Sequence, residues 1–185
     1  TINVAYRDII NDSIRDIVHI VSTDNGETFS SSNRISVDNW VINGCPHTGP
    51  TMTSNEEGMH FFWYTLGGSE GVYKTNLEYA EENFTDRDLI NANAKHPQSA
   101  TLTNGTIGLV WDETFEVDST YTDRIGLLFQ NSDQPEVIQF ITSEEEDAGH
   151  PVIIGLENGN VLVAWTQKQG DKSQVYYCVV SSHAS

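Results

Sequence analysis

One pattern occurs three times in this chain, and that repetition is the strongest constraint on its fold. His47-Thr48-Gly49-Pro50 leads to His60-Phe61-Phe62-Trp63, His96-Pro97 leads to Ile107-Gly108-Leu109-Val110-Trp111, and His150-Pro151 leads to Val161-Leu162-Val163-Ala164-Trp165. Each copy starts with a histidine near a proline, runs through an apolar strand and reverses at a polar or glycine-bearing turn. The turns are Asn55 to Gly58, Asn104-Gly105 and Asn158-Gly159. Each copy then returns as a second apolar strand that closes on tryptophan. Asn-Gly between apolar runs favours a tight hairpin, because both residues tolerate the positive φ that such a turn requires. Val4-Ala5-Tyr6 matches the end of that second strand, with Tyr6 in the tryptophan place.

The spacings between Trp63, Trp111 and Trp165 are 48 and 54 residues. That period suits one four-stranded antiparallel blade per repeat. Third strands are expected over 14–21, 71–75, 124–130 and 174–180, and fourth strands over 34–37, 88–90 and 137–141. The fold class is therefore all-β and β-propeller-like. The chain forms one domain of three to four blades, with segments at roughly 1–43, 44–93, 94–143 and 144–185. The first blade holds strands two to four and the last holds strands one to three. Helical periodicity is weak; only the stretch from Asn76 to Asn83 could form a helical turn.

Such a set of blades leaves sheet edges and apolar faces uncovered. The chain is the C-terminal half of a longer protein, a unit that pairs with a copy of itself to close a six-bladed type of ring, or a smaller irregular β structure. Self-association, as a dimer, is the favoured expectation.

Between the first blade's third and fourth strands lies Ser22-Thr23-Asp24-Asn25-Gly26-Glu27-Thr28-Phe29. Ser22 and Asp24 carry short oxygen-bearing side chains that bond backbone N–H groups within a turn. Gly26 supplies positive φ, Thr28 suits a returning strand and Phe29 is expected to anchor it in a core. The pattern S-x-D-x-G-x-T-F is an Asp-box.

With this motif, Tyr6-Arg7-Asp8, Ile14-Arg15-Asp16, Gly44-Cys45-Pro46-His47-Thr48-Gly49-Pro50 and the blade ends at Trp111 and Trp165, the chain resembles the sialidase-like BNR-repeat propellers along most of its length. The resemblance implies a sugar or small acidic ligand. The family's enzymes hold a substrate carboxylate with three arginines, use a Tyr–Glu pair as nucleophile and an Asp as acid/base. Here no Phe-Arg-Ile-Pro motif occurs and no Tyr–Glu pair is placed by motif. Three readings therefore stand: a glycan-binding or acid-binding module, an exo-sialidase or other glycoside hydrolase completed by oligomerisation, and a non-catalytic scaffold. Secretion or a periplasmic location is implied by the resemblance alone.

In a propeller blade, strand one starts and strand two ends on the same face, and the Asp-box turn points to the opposite one. This sorts the candidates. Arg7, Arg15 and Arg124 are candidate ligand-binding cations, since guanidinium groups grip carboxylates bidentately. His47, His96 and His150 precede the innermost strands and either form a polar funnel that binds a metal, an anion or a sugar or shape the start of each blade. Tyr64 shares their face. Asp8, Asp16, Asp112 and Glu113 are the candidate catalytic carboxylates, although neighbours on a strand point to opposite faces, so Asp112 and Glu113 cannot both line one site without a bulge. Ser22, Asp24, Gly26, Thr28 and Phe29 are assigned to structure.

Acidic residues outnumber basic ones 27 to 9, a net charge of −18, which disfavours nucleic acid and anionic membranes as partners. The histidines are spaced at the blade period, not at a local ligand spacing, so no metal and no cofactor are expected. Cys45 and Cys178 are too far apart in sequence for spacing to show a disulfide.

Overall fold

The computed structural model describes residues 1–79, 83–131 and 134–182, which form strands, turns and loops with no helix among them. Four antiparallel sheets follow one another along the chain. The first contains β1 (Ile2–Ile10), β2 (Ile14–Ser22) and β3 (Asn33–Arg34), in that order. The second contains β4 (Thr51–Ser54), β5 (Gly58–Thr65), β6 (Gly71–Glu78) and β7 (Asp88–Asn91). The third contains β8 (Ala94–Thr101), β9 (Ile107–Val117), β10 (Thr120–Asn131) and β11 (Gln134–Phe140). The fourth contains β12 (Ala148–Gly155), β13 (Asn160–Gln169) and β14 (Lys172–Ser181). Every sheet is a meander whose strands pair in sequence order, as propeller blades do. Among the described residues the first blade has no strand one and the last no strand four.

Strand alternation puts each blade's two faces into two different cores. Phe61 and Trp63 of β5 pack with Ile17, Ile35 and Tyr73 between the first and second blades. Phe62 and Tyr64, their neighbours on the same strand, pack with Trp40, Leu109 and Trp111 between the second and third. Val110, Leu127, Val161, Val163 and Trp165 fill the third junction. This is why β5 is buried along its whole length: both of its faces are covered, as in a stacked blade. Trp63 and Trp111 are fully buried, and truncating either to alanine would cost about 3–5 kcal/mol. Gly126 sits opposite Trp111 in the ladder, and a Cβ there would come within 2.5 Å of the indole. The ring can lie across β10 only because that position carries no side chain.

The fourth blade differs. Its inner face is packed, but Val152, Ile154, Val175, Tyr177 and Val179 are all more than half exposed. They alternate along β12 and β14 with Ile153, Tyr176, Cys178 and Val180, which pack on the core, and so form one apolar face that no other part of the described chain covers.

Three sequence expectations are corrected. Phe29 is 43% exposed and anchors no core. The first blade's fourth strand is only Asn33–Arg34, not 34–37, because the Ser36 hydroxyl accepts the Ile17 N–H at 2.7 Å in place of a backbone carbonyl. The amides of Ile35 and Ser36 both turn to the Ile17 carbonyl, which ends the ladder. Asn76 to Glu78 continue β6 rather than starting a helical turn, while 80–82 lie outside the described residues. Cys45 and Cys178 are both free thiols; burial pushes the Cys178 thiol up.

Candidate functional site

The residue after each blade-closing aromatic is Arg7, Tyr64, Asp112 or Thr166. These four positions lie on β1, β5, β9 and β13, and Asp112 and Thr166 pair with Lys95 and Gly149 near the starts of the innermost strands β8 and β12.

On the first blade, Arg7 lies opposite Ile17 and Ile9 lies opposite Arg15. Alternation therefore gives Arg7 and Arg15 one face of the sheet, and gives Asp8 and Asp16, which are themselves cross-strand partners, the other. No Arg7–Asp16 or Asp8–Arg15 ion pair forms. Asp16 is fully buried and is gripped by Arg34, whose Nε donates to Oδ2 at 2.8 Å and whose Nη2 forms the ion pair. Asp8 is half-buried and accepts only the neighbouring Ile9 N–H. Arg7 donates to the Arg15 carbonyl at 3.0 Å and, across the junction, to the Tyr64 carbonyl at 2.8 Å. Its guanidinium lies 5.0 Å from the centre of the Trp40 ring, a cation–π distance. Burial pulls its pKa down to about 10, with Asp16 and Cys45 partly opposing. Arg7 Nε, Arg15 Nη1 and Asp16 Oδ1 are shielded from solvent without a partner. Tyr64 donates its hydroxyl to Glu70 at 2.9 Å; burial, then that bond, push the phenol up.

The other arginines are taken up by carboxylates. Arg87 pairs with buried Asp38, which also accepts the Trp63 indole N–H at 2.7 Å. Arg124 lies directly across the ladder from Glu113. It donates to Glu113 Oε1 through Nε at 2.9 Å and Nη2 at 2.6 Å, and to Glu144 through Nη1. Its guanidinium is flanked by Phe140 and Phe115. Arg124 and Glu113 thus hold each other, and Glu113 also takes the Asn91 amide and approaches the Trp111 indole.

Asp112 points to the other face of β9 and meets two of the histidines. On β8, Lys95 pairs with Asp112 and Gln98 with Val110, so His96 and Pro97 together oppose Trp111 alone. On β12, Gly149 pairs with Thr166 and Val152 with Ala164, so His150 and Pro151 oppose Trp165. Each His-Pro pair is a β-bulge, a form that re-aims a side chain, and proline fits there because the bulge needs no ladder N–H. His47, His96 and His150 share left-handed φ values of +53°, +47° and +54°. Their outcomes differ. His96 Nδ1 lies 2.9 and 3.0 Å from the two Asp112 oxygens. His150 donates its backbone N–H to Asp112 Oδ2 at 2.7 Å, and its ring stacks on His96 with centroids 4.3 Å apart. The bond to Asp112 raises the His96 pKa, outweighing burial. His47 is exposed, and among the described residues it makes no hydrogen bond or ring contact.

On the opposite face, the Ser22–Phe29 turn satisfies itself. Asp24 accepts from the Thr28 amide at 2.9 Å, the Thr28 hydroxyl at 2.6 Å and the Ser22 hydroxyl at 2.7 Å. Ser22 Oγ in turn accepts the Gly26 N–H at 2.8 Å, with Gly26 at φ +92°. Bonds from Thr28, then Ser22, hold the Asp24 carboxyl down at about 2. A cavity of about 670 Å³ opens on this face between the second and third blades. Its polar side chains are bonded to one another: His60 bridges Asn55 and Asn76, and Glu136 joins Lys74 to Gln130. A large volume alone is therefore no argument for a site there.

Trp40, Asp38, Arg34 and Asp123 were not singled out by the sequence reading. Trp40 offered a signal, being the one tryptophan outside the repeat; the others follow no period.

No model of a protein family matches the sequence, and no curated protein matches it. Solved structures do match. An α-L-arabinanase of Penicillium chrysogenum superposes with a TM-score of 0.64 at 15% identity, over 95% of this chain and 55% of its own. A protein of unknown function from Dyadobacter fermentans gives 0.67 at 16% identity, over 97% and 49%. The NanB sialidase of Streptococcus pneumoniae, as its K499G mutant, gives 0.56 at 13% identity, over 95% and 30%. The fold is that of the sialidase-like β-propellers, and the chain spans about half the length of the first two.

Proposed function

We propose that this chain is a glycan-related propeller module that binds a sugar or other small acid on the face opposite the Ser22–Phe29 turn. One observation carries the reading: Arg7 and Arg15 share a face of the first blade, and they are the two arginines that no carboxylate occupies, while Arg34, Arg87 and Arg124 are each in an ion pair. A guanidinium nitrogen shielded from water and lacking a partner leaves electrostatic energy unspent, and an incoming carboxylate supplies the missing acceptor. The buried Trp40 ring backs the Arg7 guanidinium at 5.0 Å and holds it in place. The sialidase and arabinanase names of the matched structures support a sugar as the ligand.

The test is a calorimetric titration with sialyllactose and with lactose. The acidic sugar binds and the neutral one does not. Arg15→Ala weakens the acidic sugar by about tenfold, the worth of one charge-assisted bond, without changing thermal stability. Equal affinity for the two sugars, or an unaffected Arg15→Ala, would overturn the reading. Turnover of a fluorogenic sialoside, lost on Arg7→Ala, would assign hydrolysis instead.

The exposed face formed by Val152, Ile154, Val175, Tyr177 and Val179 supports self-association through the fourth blade. A light-scattering mass of a single chain would count against it.

A further inference from the structure

We propose that His96, Asp112 and His150 form a binding site for a divalent transition-metal ion of the zinc class, at the junction of the third and fourth blades. Their ligand atoms all lie within 4.8 Å of one another. Two imidazoles and a carboxylate make a borderline donor set, which suits zinc, cobalt or nickel better than calcium or magnesium, whose sites are built of oxygen. The spacing also fits. Two donors each about 2.1 Å from one ion at its tetrahedral angle stand about 3.4 Å apart; His96 Nδ1, 2.9 and 3.0 Å from the Asp112 oxygens, reaches that spacing by opening about half an ångström. The ion would replace the proton that now bridges them.

The surroundings favour a cation and hold its ligands in place. Asp112 is buried, and Oδ2 is fixed by the His150 amide at 2.7 Å, the kind of outer bond that orients a metal-binding carboxylate. Both histidines sit in proline-bearing bulges of identical register, so their Cα positions are set by the ladders on either side. Asp123 adds a second negative charge that acts on His96, and its Oδ1 is shielded from water with no hydrogen-bond partner. His150 is exposed, so an ion can reach the site from solvent. Three protein ligands would leave positions for water or a ligand oxygen. The cluster is separate from Arg7 and Arg15, and the inference does not depend on what they bind.

The experiment is isothermal titration of the chelator-treated full chain with zinc chloride alone, repeated with cobalt chloride while following its visible absorption. One ion binds per chain with micromolar affinity, and bound cobalt shows the absorption of imidazole ligation. His150→Ala weakens binding by about tenfold or more, with an unchanged melting temperature in the absence of metal, because that side chain is exposed. His47→Ala, at the equivalent position of the second blade with no carboxylate beside it, binds as the parent does. Asp112→Asn is the second ligand variant; should it fail to fold, the exposed His150 variant still decides. Absence of saturable binding below millimolar zinc would overturn the proposal, and so would equal affinity in His150→Ala, which would mark the ion as adventitious.

Discussion

The two faces of these blades use polar residues in opposite ways. On the face of the Ser22–Phe29 turn, polar groups are satisfied by one another: Asp24 by Thr28 and Ser22, His60 by Asn55 and Asn76, and His19 by Asn3. On the other face, charges are left over. Arg7 Nε, Arg15 Nη1 and Asp123 Oδ1 lack partners, and His150 contacts only a ring and a carboxylate through its backbone. A polar group shielded without a partner costs free energy, so a surface that keeps several is paying in stability for something else. This difference in partnership, rather than cavity size, is what the proposed division into a stability face and a ligand face rests on.

The sharpest way to break this division is Glu113, which lies beside Asp112 yet has its charge fully used. Glu113→Ala leaves Arg124, between Phe115 and Phe140, with the exposed Glu144 as its one remaining carboxylate and should cost about 1–3 kcal/mol in chemical denaturation. A small loss there would mean that position on this face, not the state of each charge, is what matters. A smaller effect is expected from acid. Burial lowers the pKa values of His19 and His60 below the ordinary 6.5, so between that value and the folded one the unfolded chain binds more protons. Stability is then full above about pH 6.5 and falls as pH drops through that window; His60→Gln should flatten the melting temperature's pH dependence there. The smallest effect belongs to Asp24. Asp24→Ala lowers the melting temperature by a few degrees and removes a contribution that is present above about pH 4 and lost as pH falls towards about 2. It leaves sugar and zinc binding unchanged. Lost binding in a stable Asp24→Ala protein would show that the two faces are reversed.

The fold was largely legible because its signals are local and periodic. Trp63, Trp111 and Trp165 close their strands, and Asn104-Gly105 and Asn158-Gly159 turn as hairpins. Where the reading failed, a non-local partner intervened. Ser36 reached across to the Ile17 amide and shortened β3, and Phe29 found no neighbouring blade to enter. The candidate site was legible as a set of residues but not as partnerships. Nothing in the order of residues distinguishes Arg124, held by Glu113 and Glu144, from Arg15, held by no carboxylate.

The sequence alone determined the repeat, the alternation that sends Asp112 and Glu113 to opposite faces, and the excess of acid. These depend on chain geometry over a few residues. Tertiary structure decided which of three equivalent histidines meets a carboxylate, and which arginines remain unspent. His47, His96 and His150 have the same backbone form, and only the latter two meet Asp112, which lies on the blade of His96 and beside that of His150. Charge pairing is set by distances across strand ladders and blade junctions, and those distances exist only once the sheets have formed and stacked.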